Sequence, residues 1–333
     1  MRSIGFGIIG LGRMGSLHAQ HLAGEIRGAT LLGAAVDPRH KEALESAGDM
    51  PWSLADDAAA LIANPDVEAL VIASSSTVHQ EHVTLAAQAG KPVFCEKPLA
   101  DSVQGTLDAA AAVREAGIPF QIAFQRRFDA GYARTKELIA AGVIGEPEMF
   151  RGLSADRMPP LDYLRHSGGL FWDLGIHDYD AARFLMDDEV NSVHATGAIL
   201  IEPRLAEFGD VDYGIITLKF ARGGLGVIQN SWRAPAGYDV RAEVHGSLGK
   251  VTTELDEKTP TRLYTAGSVA MTRHFEFVER FRDAYRAELQ SFVDALHTST
   301  TPSPGIADAV AAMRIADAAA RSHASSAWVE VTR

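Results

Sequence analysis

Apolar positions follow two different rhythms along this chain of 333 residues. As far as Phe124, short apolar blocks alternate with stretches in which apolar residues recur every three or four positions. Ile4 to Ile9, Leu31 to Val36, Ala69 to Ser74, Pro92 to Cys95 and Phe120 to Phe124 read as strands. Between them Met14, Leu17, Ala19, Leu22 and Ala23 carry helical spacing, as do His40 to Ala47, Asp56 to Ile62, His79 to Ala89 and Ser102 to Ala116. The last two are closed by Gly90 and Gly117. Strands separated by helices of this length need right-handed crossovers. The pattern therefore predicts an α/β domain with a doubly wound parallel sheet, a Rossmann domain, over residues 1–124.

Past Gln125 the rhythm changes. Gly131 to Ala141 reads as a helix and Glu148 to Gly152 begins a strand. Val190 to Leu200, Val211 to Phe220, Leu225 to Trp232, Val240 to His245 and Val251 to Glu254 then follow one another as strands, with Gly223-Gly224 marking a hairpin. Residues 125–333 are thus expected to form an α+β domain with an open-faced, mostly antiparallel sheet. Helical spacing returns in Phe281, Tyr285, Leu289, Phe292, Val293 and Leu296, and again from Ile306 to Ser322 after Pro304. A sheet with one open face leaves apolar surface to cover, so a monomer is not expected.

Composition removes several classes of function. The chain is 47% hydrophobic and 22% charged, as globular domains are, with no apolar run long enough to span a bilayer. Its net charge of −12 argues against nucleic acid and anionic membranes as partners. Met1-Arg2-Ser3 leads straight into the first strand, leaving no room for a signal peptide, so a soluble cytoplasmic protein is expected. The single cysteine, Cys95, excludes an internal disulfide or a cysteine-rich zinc site and reads as a buried, inert thiol.

Candidate chemistry begins at the first strand. Gly10, Gly12 and Gly15 have the GxGxxG spacing between a strand and a helix. Gly10 permits the tight turn, Gly12 the approach of a pyrophosphate, and Gly15 the packing of helix on strand, while the helix N-terminus offers its N–H groups to phosphate. Asp37 ends the second strand, 22 positions after Gly15, where a carboxylate binds the adenine ribose and repels a 2′-phosphate. That favours NAD over NADP, with Arg39 nearby as the group able to tolerate the phosphate. Glu96-Lys97-Pro98 directly follows a strand, which either aims Lys97 at the ligand crevice of an open α/β sheet or leaves it a solvated lysine beside a carboxylate. In GGLFWDLGIHDYD, a helix from Leu170 to Met186 puts Asp173, His177 and Asp180 on one face, beside an apolar stripe of Leu174, Ala181 and Leu185. Asp173 would orient His177 as a proton acceptor. The same trio is a candidate divalent-metal set, and a capping carboxylate with a surface histidine is the plainer alternative.

These motifs, with FQRRFDAGY, PLDYLRHSGG, NSWRAPAGYDVRAEVHGSLG and RFRDAYRAELQSFVDAL, resemble the Gfo/Idh/MocA oxidoreductase family over nearly the whole chain. The resemblance implies a lysine, aspartate and histidine of catalysis at Lys97, Asp173 and His177. Substrate contacts fall on these three and on Arg127, Asp156, Asp180, Tyr238 and Tyr285. Ser74, Thr77 and His79 lie where the family touches the nicotinamide ribose; Arg13, Met14, Glu96, Lys97 and Gln125 complete the expected cofactor set. Trp172 and Gly175 depart from the family pattern, standing where smaller and hydroxyl-bearing residues respectively are expected, and GLSADRM departs as well. The resemblance also implies a homotetramer or homodimer assembled through the C-terminal sheet, and the implied reaction is NAD-dependent oxidation of a secondary hydroxyl on a cyclic polyol or sugar without a metal. A family sugar dehydrogenase with another substrate, a non-catalytic NAD-binding sensor and a metal-dependent dehydrogenase are the competing readings.

Overall fold

The computed structural model describes residues 2–37, 39, 44, 52–254 and 257–332. The helix expected over His40 to Ala47 falls, apart from Leu44, outside the described residues. The chain divides into two compact units, one formed by Met1–Phe124 with Tyr285–Met313, the other by Gln125–Ala284 with Arg314–Arg333.

In the first unit β1 (Ile4–Ile9), β2 (Ala29–Ala35), β3 (Ser53–Leu54), β4 (Ala69–Ile72), β5 (Val93–Cys95) and β6 (Phe120–Ile122) form one sheet in the order β3-β2-β1-β4-β5-β6. Every pairing is parallel. The inner strands are buried on both faces, which is why they read as unbroken apolar runs and not as alternation. The helices α1 (Arg13–Gly24), α2 (Ala58–Ala63), α3 (His79–Gln88) and α4 (Val103–Ala116) connect them. α4 begins at the cap Ser102, whose Oγ accepts from the Gly105 N–H, and ends at Gly117 in the left-handed region.

The two-segment division at Phe124 needs one correction. The chain returns to this unit through α8 (Arg282–Thr298), whose Leu289, Phe292 and Val293 are buried with Phe6, Ile8, Leu22 and Phe94. Phe292 meets the Phe6 ring at 6.2 Å. Burying each such side chain is worth about 1.5–3 kcal/mol, enough to tie a remote segment to the sheet.

The second unit is built on β7 (Pro147–Ala155), β8 (Val190–Ala198), β9 (Tyr213–Phe220), β10 (Leu225–Ser231), β11 (Asp239–Gly246), β12 (Gly249–Thr253) and β15 (Val329–Glu330), ordered β12-β11-β7-β10-β9-β8-β15. All neighbours are antiparallel except β7 and β10. α5 (Ala130–Ala140), α6 (Leu161–Ser167) and α7 (Gly175–Met186) belong to this unit, and α7 packs on β7. A hairpin of β13 (Glu257–Thr265) and β14 (Ser268–Arg273) forms a separate, exposed ribbon that the apolar pattern does not announce. The other face of the large sheet is less apolar than expected. Its cross-strand rows run Ile215, Gln229, Leu153, Arg241 and Thr217, Val227, Arg151, Glu243, so each row mixes apolar with polar or charged residues. Among the described residues no helix is long and apolar enough to cross a membrane.

Candidate active site

The glycine turn in the first unit has three different surroundings. Gly10 sits at φ +94°, and a Cβ there would lie 2.6 Å from the Ala73 carbonyl oxygen. A Cβ on Gly15 would lie 2.0 Å from the Gly10 carbonyl oxygen. A Cβ on Gly12 would meet nothing within 4 Å. The outer glycines therefore close strand, turn and helix together, while the middle one faces open space. α1 opens at Gly12 with no side-chain cap, so its first N–H groups remain for an anion. Arg13 is exposed and Met14 half-buried beside this turn. These features fit a dinucleotide pyrophosphate.

Asp37 follows β2. Both of its carboxylate oxygens accept from the Arg39 Nε, at 3.0 and 2.9 Å, and one also accepts the Arg39 backbone N–H at 2.9 Å. The carboxylate raises the exposed Arg39 guanidinium above its ordinary pKa through this hydrogen bonding. Ser74 and Thr77 lie after β4; the Ser74 Oγ meets the His82 Nδ1 at 3.0 Å, and Thr77 is exposed.

Two expected cofactor contacts are occupied within the protein. The His79 Nδ1 faces the Pro98 carbonyl at 2.8 Å and its Nε2 the Ser74 carbonyl at 3.0 Å. Burial pushes the imidazole pKa down despite these acceptors. With both nitrogens facing carbonyls, the ring braces two loops and has no nitrogen left for a ribose. Glu96 is 7% exposed; its Oε1 meets the His18 Nε2 at 2.8 Å and its Oε2 accepts the Lys97 N–H at 3.3 Å. Lys97 itself follows β5, on the carboxyl edge of the sheet that carries the glycine turn. Tyr285 belongs to this unit as well, buried edge-on against the His18 ring at 6.4 Å.

Asp173 and His177 belong to the second unit. The expected single helix is two: a π-helical turn over Leu170–Leu174, closed by the Gly175 N–H to the Leu170 carbonyl, then α7. Asp173 lies in that wider turn, so the α-helical face drawn through Asp173, His177 and Asp180 holds only from Gly175 onward. Gly168 and Gly169, both at positive φ, turn the chain into it, and the Asp210 Oδ1 accepts the Leu170 N–H at 2.9 Å. Burial raises the Asp210 pKa, with the Asp173 charge adding to the effect. Gly175, where a hydroxyl-bearing residue was expected, is required by its neighbour: a Cβ would stand 2.6 Å from the Tyr179 hydroxyl.

Arg127 and Asp180 bond to one another. The Arg127 Nε donates to Oδ2 at 2.9 Å and Nη2 to Oδ1 at 2.6 Å. Gln125, 2% exposed, opens the short turn that carries Arg127. Asp156 is half-buried after β7, where its Oδ1 accepts the Arg157 N–H. Tyr238 is buried between Phe277 and Phe281, at 6.5 and 6.0 Å, and burial raises its pKa.

The pattern missed a fully buried network. Arg126 donates to the Asp178 Oδ1 at 2.6 Å and to the Ser154 Oγ at 2.9 Å, and the Asn230 Nδ2 donates to the Asp178 Oδ2 at 2.8 Å. Burial opposes the Arg126 charge, but Asp178 overrides it and holds the guanidinium protonated. The signal was present: Asp178 sits in the apolar stripe of Leu174, Ala181 and Leu185. A carboxylate in such a stripe requires a buried cation.

The parallel sheet and glycine turn define a dinucleotide-binding fold. Residues 4–124 match the oxidoreductase family's NAD-binding Rossmann fold and residues 136–331 its C-terminal alpha/beta domain. The chain belongs to the Gfo/Idh/MocA oxidoreductase family. It is 40% identical over 321 residues to the uncharacterized oxidoreductase YrbE of Bacillus subtilis, covering 95% of this chain and 93% of that one. It is 37% identical over 319 residues to a myo-inositol 2-dehydrogenase of Thermotoga maritima, covering 95% of each. Its fold also resembles the scyllo-inositol dehydrogenase of Lactobacillus casei solved with NAD(H) and scyllo-inositol, with a TM-score of 0.91, 27% identity and 99% of each chain covered.

Proposed function

We propose that this protein oxidises a secondary hydroxyl of a cyclic polyol of the inositol class to a ketone, using NAD. The observation that carries the reading is the open space at Gly12 beside an uncapped helix, on the same sheet edge as Lys97. The named activities of the relatives point to the substrate class.

NAD, when bound, supplies the acceptor for the hydride. In this reading Asp173 orients His177, whose imidazole takes the hydroxyl proton. The Lys97 ammonium stabilises the oxygen as it gains negative charge. Arg127 and Asp180 present a preformed ion pair to neighbouring hydroxyls, with Asp156 and Tyr238 as further contacts. A site matched to several hydroxyls rejects analogues lacking them by large factors. Asp37, already satisfying Arg39, is a negative charge where NADP carries its 2′-phosphate, which favours NAD. Ser74, Thr77 and the first turn of α1 complete the cofactor contacts.

The test is a panel of inositols and aldoses assayed for NADH formation with the parent, Lys97→Ala and His177→Ala. Turnover on at least one inositol is expected, with each variant losing about 10²- to 10⁴-fold. NAD binding without turnover on any polyol or sugar would favour a sensor.

A further inference from the structure

Behind Lys97 lies a second cluster, all within the first unit and without an assigned role. His18 of α1, Glu96 after β5 and Glu288 of α8 each offer one ligating atom, and these atoms lie within 4.8 Å of one another. Glu288 is 0% exposed, and among the described residues neither of its carboxyl oxygens has a hydrogen-bond partner. The titratable groups beside it are His18 from α1 and Glu96 from the loop after β5, and the His18 ring in turn meets His21 at 6.4 Å and Tyr285 at 6.4 Å. From β6, Gln121 donates its Nε2 to the Glu288 backbone carbonyl at 2.9 Å. An ionised Glu288 would be a buried anion beside a second carboxylate, an arrangement that costs several kcal/mol. A proton on Glu288 removes that cost.

We propose that Glu288 stays a neutral carboxylic acid in the folded protein, so that no second charge displaces the Glu96 carboxylate, which His18 holds against the Lys97 backbone N–H. The three are positioning residues for Lys97, and the inference rests on the catalytic role given to that lysine. Glu96 is the link, because one oxygen meets the His18 Nε2 at 2.8 Å and the other accepts the Lys97 N–H at 3.3 Å. On the far side His79 faces the Pro98 carbonyl at 2.8 Å, so the Glu96–Pro98 segment is fastened at both ends. Burial first, and the Glu96 charge second, push the Glu288 pKa well above the ordinary range. Above about pH 4.5 the unfolded chain releases this proton while the folded chain keeps it, so stability falls as pH rises toward the folded pKa.

The experiment compares the NAD-bound parent with Glu288→Gln, Glu288→Ala and Lys97→Ala. The infrared difference between parent and Glu288→Gln at about pH 7 is expected to contain the carbonyl band of a protonated carboxyl. Glu288→Gln, a neutral isostere, keeps near-parental kcat, and its melting temperature gains on the parent's as pH rises from about 5 to about 9. Glu288→Ala lowers kcat by on the order of 100-fold through the displaced lysine, with little change in NAD affinity. Absence of the band, or a Glu288→Gln as impaired as Glu288→Ala, overturns the proposal. So does a stoichiometric divalent metal that the parent holds and Glu288→Gln lacks. Near-parental activity in Lys97→Ala would instead overturn the role of Lys97 and leave the infrared band untouched, so the two failures are distinguishable.

Discussion

The glycine turn of the first unit and the Asp173–Asp180 stretch of the second achieve precision by opposite means. The first depends on missing atoms: Gly10 and Gly15 leave no space for a Cβ and Gly12 leaves space for a ligand. The second depends on charges held out of water. Asp178 is locked by Arg126, Ser154 and Asn230, Asp180 by Arg127, and Asp210 caps the entry to the π-helical turn. A backbone built on glycine tolerates no side chain, whereas a helix fixed by buried ion pairs tolerates no lost partner. The two regions should therefore fail differently when mutated.

The sharpest break is Asp178→Ala. It leaves Arg126 buried and uncompensated, and should cost about 3–5 kcal/mol of stability by denaturant titration. Loss below about 1 kcal/mol would mean that the network is weaker than its burial implies. Replacing Gly10 by alanine forces a Cβ against the Ala73 carbonyl at a left-handed φ; about 1–3 kcal/mol is expected, with NAD affinity reduced more than polyol affinity. Calorimetric titration with each ligand checks that order. Gly175→Ser should cost a comparable or smaller amount, about 1–3 kcal/mol, through contact with the Tyr179 hydroxyl. The smallest change is at the cofactor's edge. Asp37→Ser should shift the NAD to NADP preference by about tenfold, since it removes one carboxylate charge and releases Arg39 toward the 2′-phosphate, an exchange worth roughly 1–2 kcal/mol near the surface. An unchanged ratio of kcat/KM for the two cofactors would place discrimination elsewhere.

The same contrast explains what could be read in advance. The parallel sheet, the GxGxxG turn and the antiparallel strands are local patterns with short periods, and the structure has them near the expected residues. The return of α8 to the first unit is not local: Phe292 meets Phe6 and Phe94 only after the chain has folded. The π-helical turn was hidden because apolar spacing does not register one extra residue in a turn. Asp178 stands in an apolar stripe and so announces a buried cation, but that Arg126 supplies it, and that Glu288 is buried at all, emerges only from the fold. His79 and Glu96 lie near strand ends, as ligand contacts do, yet their polar atoms are spent on the protein itself.

One measurement bears most directly on the proposed chemistry: NADH formation from an inositol by Lys97→Ala, taken together with its NAD dissociation constant. The account predicts turnover reduced by about 10²- to 10⁴-fold at an essentially parental constant. Turnover close to the parent's with NAD still bound would show that Lys97 does not stabilise the reacting oxygen, and would contradict the mechanism.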